Sequence, residues 1–281
     1  MKLFRKAGPL REHLLQVRMT GIKIGFVPTM GALHNGHMQL ISASRQAAAI
    51  TVCSIFVNPT QFNNPTDFEK YPKTLGDDIA MLEAAGNDIV FIPDVSEIYP
   101  EGTDHLQKFE LGYLETILEG SSRPGHFQGV CQVMERLLTI IDPQLLFMGQ
   151  KDYQQCMVVK KLIGFMGNGP ELITAPTVRQ PDGLAMSSRN RRLSETGRQQ
   201  AVAIYQTLSY VKASLTPGPL RKLVADATNK LSDAGFTVDY VAIAHASSLE
   251  VTKTWDGNTP LVCLIAAFLE EVRLIDNMVI S

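Results

Sequence analysis

No sign of charge dominates this chain. Lys and Arg number 26 against 28 Asp and Glu, a net charge of −2 at neutral pH. No whole-chain basic field recruits nucleic acid, so any anion site must be local. Charged residues make up only 19% and hydrophobic ones 45%, a globular balance that excludes a disordered chain. Long apolar runs are missing too. The longest, Leu261 to Phe268, is far too short to span a bilayer, and no membrane partner is expected. The first nine residues, Met1 to Pro9, hold no apolar core of signal-peptide length. Cysteine is scarce. Cys53, Cys131, Cys156 and Cys263 form no Cys-x-x-Cys pair, and three sit in apolar surroundings. They read as reduced, buried thiols of a cytoplasmic protein. Internal repeats and low-complexity segments are absent.

What is present is an alternation of strands and helices. At 281 residues the chain can form one large domain or two ordinary ones. Apolar runs at 22–27, 50–57, 88–93, 145–148 and 171–174 read as strands; helical spacing covers 9–20, the stretch from the first turn to about 49, 77–85, 127–141 and 153–166. That order predicts an α/β fold with a Rossmann-like, doubly wound parallel sheet and ligands at the strand C-terminal ends. The pattern changes after Ala175-Pro176. Two long helices, Ser194–Leu215 and Pro219–Ala234, and two strands, Val238–His245 and Leu261–Leu269, are expected to form a smaller α+β domain. The expected boundaries are therefore 1–176 and 177–281. Ser194 and Thr216 are the candidate helix-entry residues.

Chemistry concentrates in five stretches. The first runs Pro28-Thr29-Met30-Gly31-Ala32-Leu33-His34-Asn35-Gly36-His37, between a strand and an amphipathic helix. Main-chain N–H groups at a helix start are unpaired and the dipole favours negative charge, so phosphates suit this turn. His34 and His37 fall on one side of the first helical turn. A metal pair, or two histidines that merely cap the helix, are the alternatives. No Cys or acidic residue stands nearby at metal spacing, and Asn35-Gly36 rules out the HExxH pattern.

The second stretch, Met148 to Gln155, also leaves a strand for a helix. Lys151 can neutralise a phosphate as a point charge, and Gln155 can donate to a carboxylate or hydroxyl; a solvated helix start capped by Asp152 is the plainer reading. The third, Pro181 to Arg192, sets Ser187 and Ser188 beside Arg189, a clamp for phosphate oxygens or else a solvated basic surface. The fourth, Phe56 to Asn63, offers Asn58 and Gln61 as neutral partners for a small polar ligand. In the fifth, Ser122 to Val130, Arg123 or His126 can reach an anion or anchor the loop. Asp77-Asp78 is read as a charged helix N-terminus rather than a metal site.

Taken together these stretches resemble the pantothenate synthetase (pantoate–β-alanine ligase) family. The matching blocks are Pro28–Gly31 with His34–His37, Ser54–Pro59 with Gln61-Phe62, Tyr71-Pro72, Arg123–Phe127, Lys151-Asp152 with Gln154-Gln155, Asp182–Ala185 with Ser187–Asn190, and Arg273–Asn277. One departure is Gln150, where the family usually has Glu. The resemblance implies ATP-dependent joining of pantoate to β-alanine, with release of AMP and pyrophosphate through a pantoyl adenylate. It implies that His34, His37, Lys151, Ser187, Ser188 and Arg189 act on the phosphates. The nucleotide contacts it implies are Met30, Gly31, Ala32, Leu33, Asn35 and Gly36 with the two histidines, then Gly149, Gln150, Lys151, Asp152, Val178 and Met186 to Arg189. Gln61 and Gln155, with Asn58, Tyr71, Arg123 and His126, fall to pantoate and β-alanine. Mg²⁺ is expected with ATP, without a dedicated protein cage. A C-terminal lid and a homodimer complete the implied picture.

Overall fold

Six parallel strands carry the N-terminal unit. They are β1 (Lys2–Phe4), β2 (Ile24–Thr29), β3 (Ile50–Ile55), β4 (Ile89–Phe91), β5 (Leu145–Gly149) and β6 (Glu171–Ala175). The computed structural model describes residues 1–63, 68–69 and 71–281. The strand order is β1-β4-β3-β2-β5-β6. The chain winds outward from β2 through β3 and β4, then returns to start again at β5 beside β2. That reversal is a topological switch point, where loops after neighbouring strands splay apart and leave a crevice. The loops leaving it begin at Met30 and Gln150, within two of the stretches singled out from sequence.

The central strands are apolar on both faces because helices cover both. Phe26, Val27, Val52, Cys53, Leu146 and Phe147 are all buried, as a doubly covered parallel sheet requires. The helix Asn35–Ala47 buries Leu40, Ile41 and Ser44, and Ser44 Oγ shares a 2.8 Å hydrogen bond with Thr51 Oγ1 of β3. The helix His126–Ile141 buries an apolar stripe from Phe127 to Ile141.

The chain divides into two compact units: Met1–Gln150 with Gln154–Pro176, and Lys151–Tyr153 with Thr177–Ser281. The second unit holds an antiparallel sheet of β8 (Thr237–His245), β10 (Leu261–Leu269) and β11 (Val272–Val279), ordered β11-β10-β8. A two-residue pair, β7 (Gly218–Pro219) with β9 (Thr254–Trp255), accompanies it. Its core gathers Ile204, Leu208, Leu231, Ile243, Cys263 and Ile265.

Several sequence expectations need correction here. The helix expected over 194–215 is two, Glu195–Gln200 and Ala203–Ala213. Ile204 N bonds Ala201 O, three residues back, so the backbone tightens at the join. Ser194 caps the first of them, its side chain accepting from Gly197 N. The following helix starts at Arg221, because Gly218-Pro219 is spent on strand pairing; the cap position is Leu220, not Thr216. Strands β1, β7, β9 and β11 lie outside the runs that read as strands.

Candidate functional site

The histidine turn is held from behind. Thr29 Oγ1 donates to Ser54 O at 2.7 Å and accepts from Gly31 N at 3.2 Å. Gly31 and Ala32 then take positive φ in succession, 78° and 50°. A Cβ on Gly31 would lie 3.0 Å from Asp78 Oδ2 and 3.2 Å from Ile55 Cγ2, so only glycine allows this approach without displacement. The reason for the approach is Asp78. Its Oδ2 accepts Ala32 N at 3.0 Å, its Oδ1 accepts Leu33 N at 2.7 Å, and Thr74 Oγ1 adds 3.2 Å. Asp78 is only 2% exposed.

This corrects the expectation of an open main-chain cradle. The N–H groups of Ala32 and Leu33 are taken by a carboxylate, and those of His34 and Gly36 by imidazoles. His34 Nδ1 accepts from Gly36 N at 3.1 Å, and His37 Nδ1 accepts from His34 N at 3.3 Å, a capping box made of histidines. The alternative reading, that these histidines cap the helix, is therefore right as far as their Nδ1 atoms go. The consequence is chemical. With both Nδ1 atoms acting as acceptors, each neutral ring carries its proton on Nε2. The rings lie 4.1 Å apart at their centroids. The two main-chain N–H bonds thus fix the tautomer of both rings at one helix start. Gly31, Ala32 and Leu33 are buried, Met30, His34, Gly36 and His37 half-buried, and Asn35 exposed.

A second group of polar residues sits where the 3₁₀ turn Pro59–Gln61 meets the helix His126–Ile141. A Cβ on Gly129 would fall 2.2 Å from Thr60 O, so the two backbones touch there. Asn58 is 1% exposed. Its Nδ2 donates to Gly129 O at 3.1 Å, and its Oδ1 accepts from Tyr99 Oη at 2.9 Å and Thr60 Oγ1 at 3.2 Å. Burial pushes the Tyr99 hydroxyl above its ordinary pKa, which keeps it a donor. His126 is likewise buried. Arg123 Nη1 can only donate to its Nε2, at 3.2 Å, so Nδ1–H donates to Gln61 O at 2.9 Å. Asn58 and His126 thereby brace the segment that carries Gln61. The side-chain amide of Gln61, though buried, has no hydrogen bond among the described residues. Nearby in sequence, Phe62 packs edge-on to Tyr71 at 5.8 Å.

The adjacent glutamines of the helix Tyr153–Met166 divide their roles. Gln154 is buried and structural: Oε1 accepts Glu119 N at 3.1 Å, and Nε2 donates to Leu114 O and Ile117 O. Gln155 is half-buried and its amide is unpaired among the described residues. Gly149 ends β5, and Gln150–Asp152 forms a 3₁₀ turn before the helix, so Asp152 is not a simple cap.

In the second unit, Lys151 Nζ makes no hydrogen bond or ion pair among the described residues, while Lys151 O accepts from Asn277 Nδ2 at 2.8 Å. Val178 O accepts from Met186 N at 3.0 Å and Arg179 bridges Ala185, which makes 178–186 a hairpin. Ser187 then caps the 3₁₀ turn Ser188–Arg192, its Oγ accepting from Arg189 N at 3.3 Å. Ser188 and Arg189 occupy the first turn and are half-buried. The Asp-Gly turn signal holds, with Gly183 at φ 97°.

Sequence reasoning missed the part played by two residues that shape these groups. Asp78 reads from sequence as a helix-dipole charge; it lies in that first turn but its work is to hold a loop 45 positions earlier. Gly129 carries no signal in the sequence, because the contact that requires it comes from a segment nearly 70 residues away. No cluster of three or more His, Cys, Asp or Glu able to hold a metal occurs among the described residues. No helix among them is long and apolar enough to cross a membrane.

Comparison with known proteins bears on the whole chain. The pantoate–β-alanine ligase family model matches residues 2–279. A pantothenate synthetase of Cytophaga hutchinsonii is 44% identical over 276 residues, covering 96% of each chain. One from Aliivibrio fischeri is 41% identical over 283 residues, covering all of this chain and 97% of its own. Among solved structures, pantothenate synthetase from Thermus thermophilus superposes with a TM-score of 0.88 at 37% identity over the full length of both chains. Pantoate–β-alanine ligase from Francisella tularensis, complexed with β-γ ATP and β-alanine, gives 0.84 at 36%, covering 99% of this chain and 97% of its own. With a family match across nearly every residue and relatives above 40% identity, the chain belongs to the pantoate–β-alanine ligase family.

Proposed function

We propose that this enzyme condenses pantoate with β-alanine at the expense of ATP, forming pantothenate, AMP and pyrophosphate through a pantoyl adenylate. Family membership over residues 2–279 carries this reading, and the fixed Nε2–H tautomer of His34 and His37 supports it. In the first step the pantoate carboxylate attacks the α-phosphorus and the bond to pyrophosphate breaks. Negative charge builds on the phosphates and the leaving group, and positioned donors lower that barrier. His34 and His37 donate from Nε2, Lys151 supplies a point charge, and Ser187, Ser188 and Arg189 grip the remaining oxygens. Mg²⁺ arrives as part of the MgATP substrate. In the second step the β-alanine amine attacks the acyl carbon, loses a proton, and AMP leaves with the bridging oxygen. That step needs alignment and exclusion of water rather than a nucleophilic side chain.

The amides of Gln61 and Gln155, unpaired among the described residues, suit the hydroxyl and carboxylate of pantoate. Tyr71, packed on Phe62, and Arg123, bonded to His126, are assigned to the pantoate side with them, while Asn58 and His126 act by bracing the turn that carries Gln61. Met30 to His37, Gly149 to Asp152, Val178 and Met186 line the nucleotide. In this reading residues 1–176 bind ATP and pantoate and 177–281 serve as a lid. A homodimer and a cytoplasmic location follow the family, and sedimentation would test the first.

The test is an omission series. Pyrophosphate release should require ATP and pantoate, and AMP release should require β-alanine as well. Pyrophosphate release that needs a mononucleotide, or that ignores pantoate, would overturn the reading.

A further inference from the structure

Within the second unit, one side chain ties Lys151 to the sheet. Asn277 lies on β11, opposite Leu264 of β10. It is 3% exposed, and its Nδ2 donates to Lys151 O at 2.8 Å. A second tie comes from Tyr153 Oη, which donates to Ala246 O at 2.7 Å just past the end of β8. A three-residue segment is thus fixed at both ends to the antiparallel sheet, which is why Lys151–Tyr153 groups with that unit.

Asn277 is itself held by an ion pair. Asp276 Oδ1 accepts Asn277 N at 2.8 Å. Arg179 grips Asp276 with both terminal nitrogens, at 2.5 and 3.1 Å, and donates to Asn277 O at 3.2 Å. The same guanidinium donates to Gly183 O at 3.1 Å and stacks 4.7 Å over the Tyr205 ring. Arg179 and Gly183 belong to the 178–186 hairpin, which leads directly into Ser187, Ser188 and Arg189. One planar cation therefore fixes the strand that holds Lys151 and the hairpin that carries the serines, a geometry that suits a bidentate arginine.

We infer that Asn277, set by Asp276 and Arg179, is a positioning residue for Lys151 in the adenylate-forming step. This rests on the functional reading above. Asn277 touches no substrate in this role; it fixes the main chain from which Lys151 Nζ projects.

A double-mutant cycle tests it. Asn277→Ala should lower the rate of pantoate-dependent pyrophosphate release by roughly two- to tenfold, the range of one lost neutral hydrogen bond. In a Lys151→Ala background the same substitution should change the rate by less than about twofold, because nothing remains to position. ATP affinity is read by calorimetry across the same four proteins, so slow chemistry in the Lys151→Ala enzymes does not hide the result. Should Asn277→Ala fold poorly, Asn277→Asp keeps the size and removes the donor, and the same coupling is expected. Equal losses in both backgrounds, on rate and on ATP affinity, overturn the inference while leaving the functional reading intact. A parent enzyme without pantoate-dependent pyrophosphate release overturns the functional reading itself, and this inference with it.

Discussion

Replacing Asp78 by Asn changes one oxygen to an NH₂ group and nothing else in shape. In the native protein both oxygens are committed, Oδ2 to Ala32 N and Oδ1 to Leu33 N, with Thr74 Oγ1 also on Oδ1. The amide can accept through only one oxygen, so one main-chain N–H must face another donor. The site is 2% exposed, and water cannot take the lost place. The remaining bond also weakens, because its acceptor is no longer ionised. A charge-assisted bond is worth about 1.5–3 kcal/mol and an orphaned buried N–H costs a similar amount, so a loss of about 2–3 kcal/mol is expected. For a unit of this size each kcal/mol moves Tm by roughly 2–4 °C, which gives a fall of about 4–12 °C by calorimetry. The functional effect should exceed the change in folded fraction. Ala32 and Leu33 lead straight into His34, so the imidazoles lose their fixed aim. Pantoate-dependent pyrophosphate release should drop by more than about tenfold at a temperature where the variant is folded. An Asp78→Asn enzyme with native Tm and native turnover would refute the claim that this carboxylate positions the turn.

Three further outcomes are expected. Lys151→Ala should slow pyrophosphate release by roughly a hundredfold or more while changing pantoate affinity by less than about threefold, measured by single turnover and calorimetry; comparable losses in both would remove Lys151 from the phosphate step. Gly129→Ala, with its new methyl 2.2 Å from Thr60 O, should cost about 1–3 kcal/mol and raise the pantoate KM, since Gln61 sits on the displaced turn; an unchanged KM would show that this contact is not what places Gln61. Burial pushes the Cys53, Cys131 and Cys263 thiols up to about 12, so only about one molecule in ten thousand is a thiolate at pH 8. Mass spectrometry after iodoacetamide treatment should find these three unmodified in the native enzyme and labelled after denaturation; rapid native labelling would contradict their burial.

Much of the fold is legible in the sequence because its parallel sheet writes itself as apolar runs. Ile50–Ile55 is buried along nearly its whole length and carries no polar interruption beyond small hydroxyls, and it reads as a strand for that reason. The β11 strand is not legible, since Arg273, Asp276 and Asn277 interrupt its apolar pattern. Asp276 and Asn277 are spent on an ion pair to Arg179 and a bond to Lys151, both long-range in sequence. The site divides in the same way. The place of His34 and His37 at a strand-to-helix turn can be read from their spacing. What sequence does not supply is which donors are already taken. That Asp78 occupies the Ala32 and Leu33 N–H groups, and that His126 Nδ1 donates to Gln61 O, depends on contacts 45 and 65 residues apart.

Attack of the pantoate carboxylate on the α-phosphorus of ATP, as proposed above, is tested with pantoate labelled with ¹⁸O in both carboxylate oxygens, turned over with ATP and β-alanine and followed by mass spectrometry of the products. One ¹⁸O is expected in AMP, one retained in pantothenate and none in pyrophosphate. Label in pyrophosphate or inorganic phosphate, or unlabelled AMP formed alongside pantothenate, would contradict it.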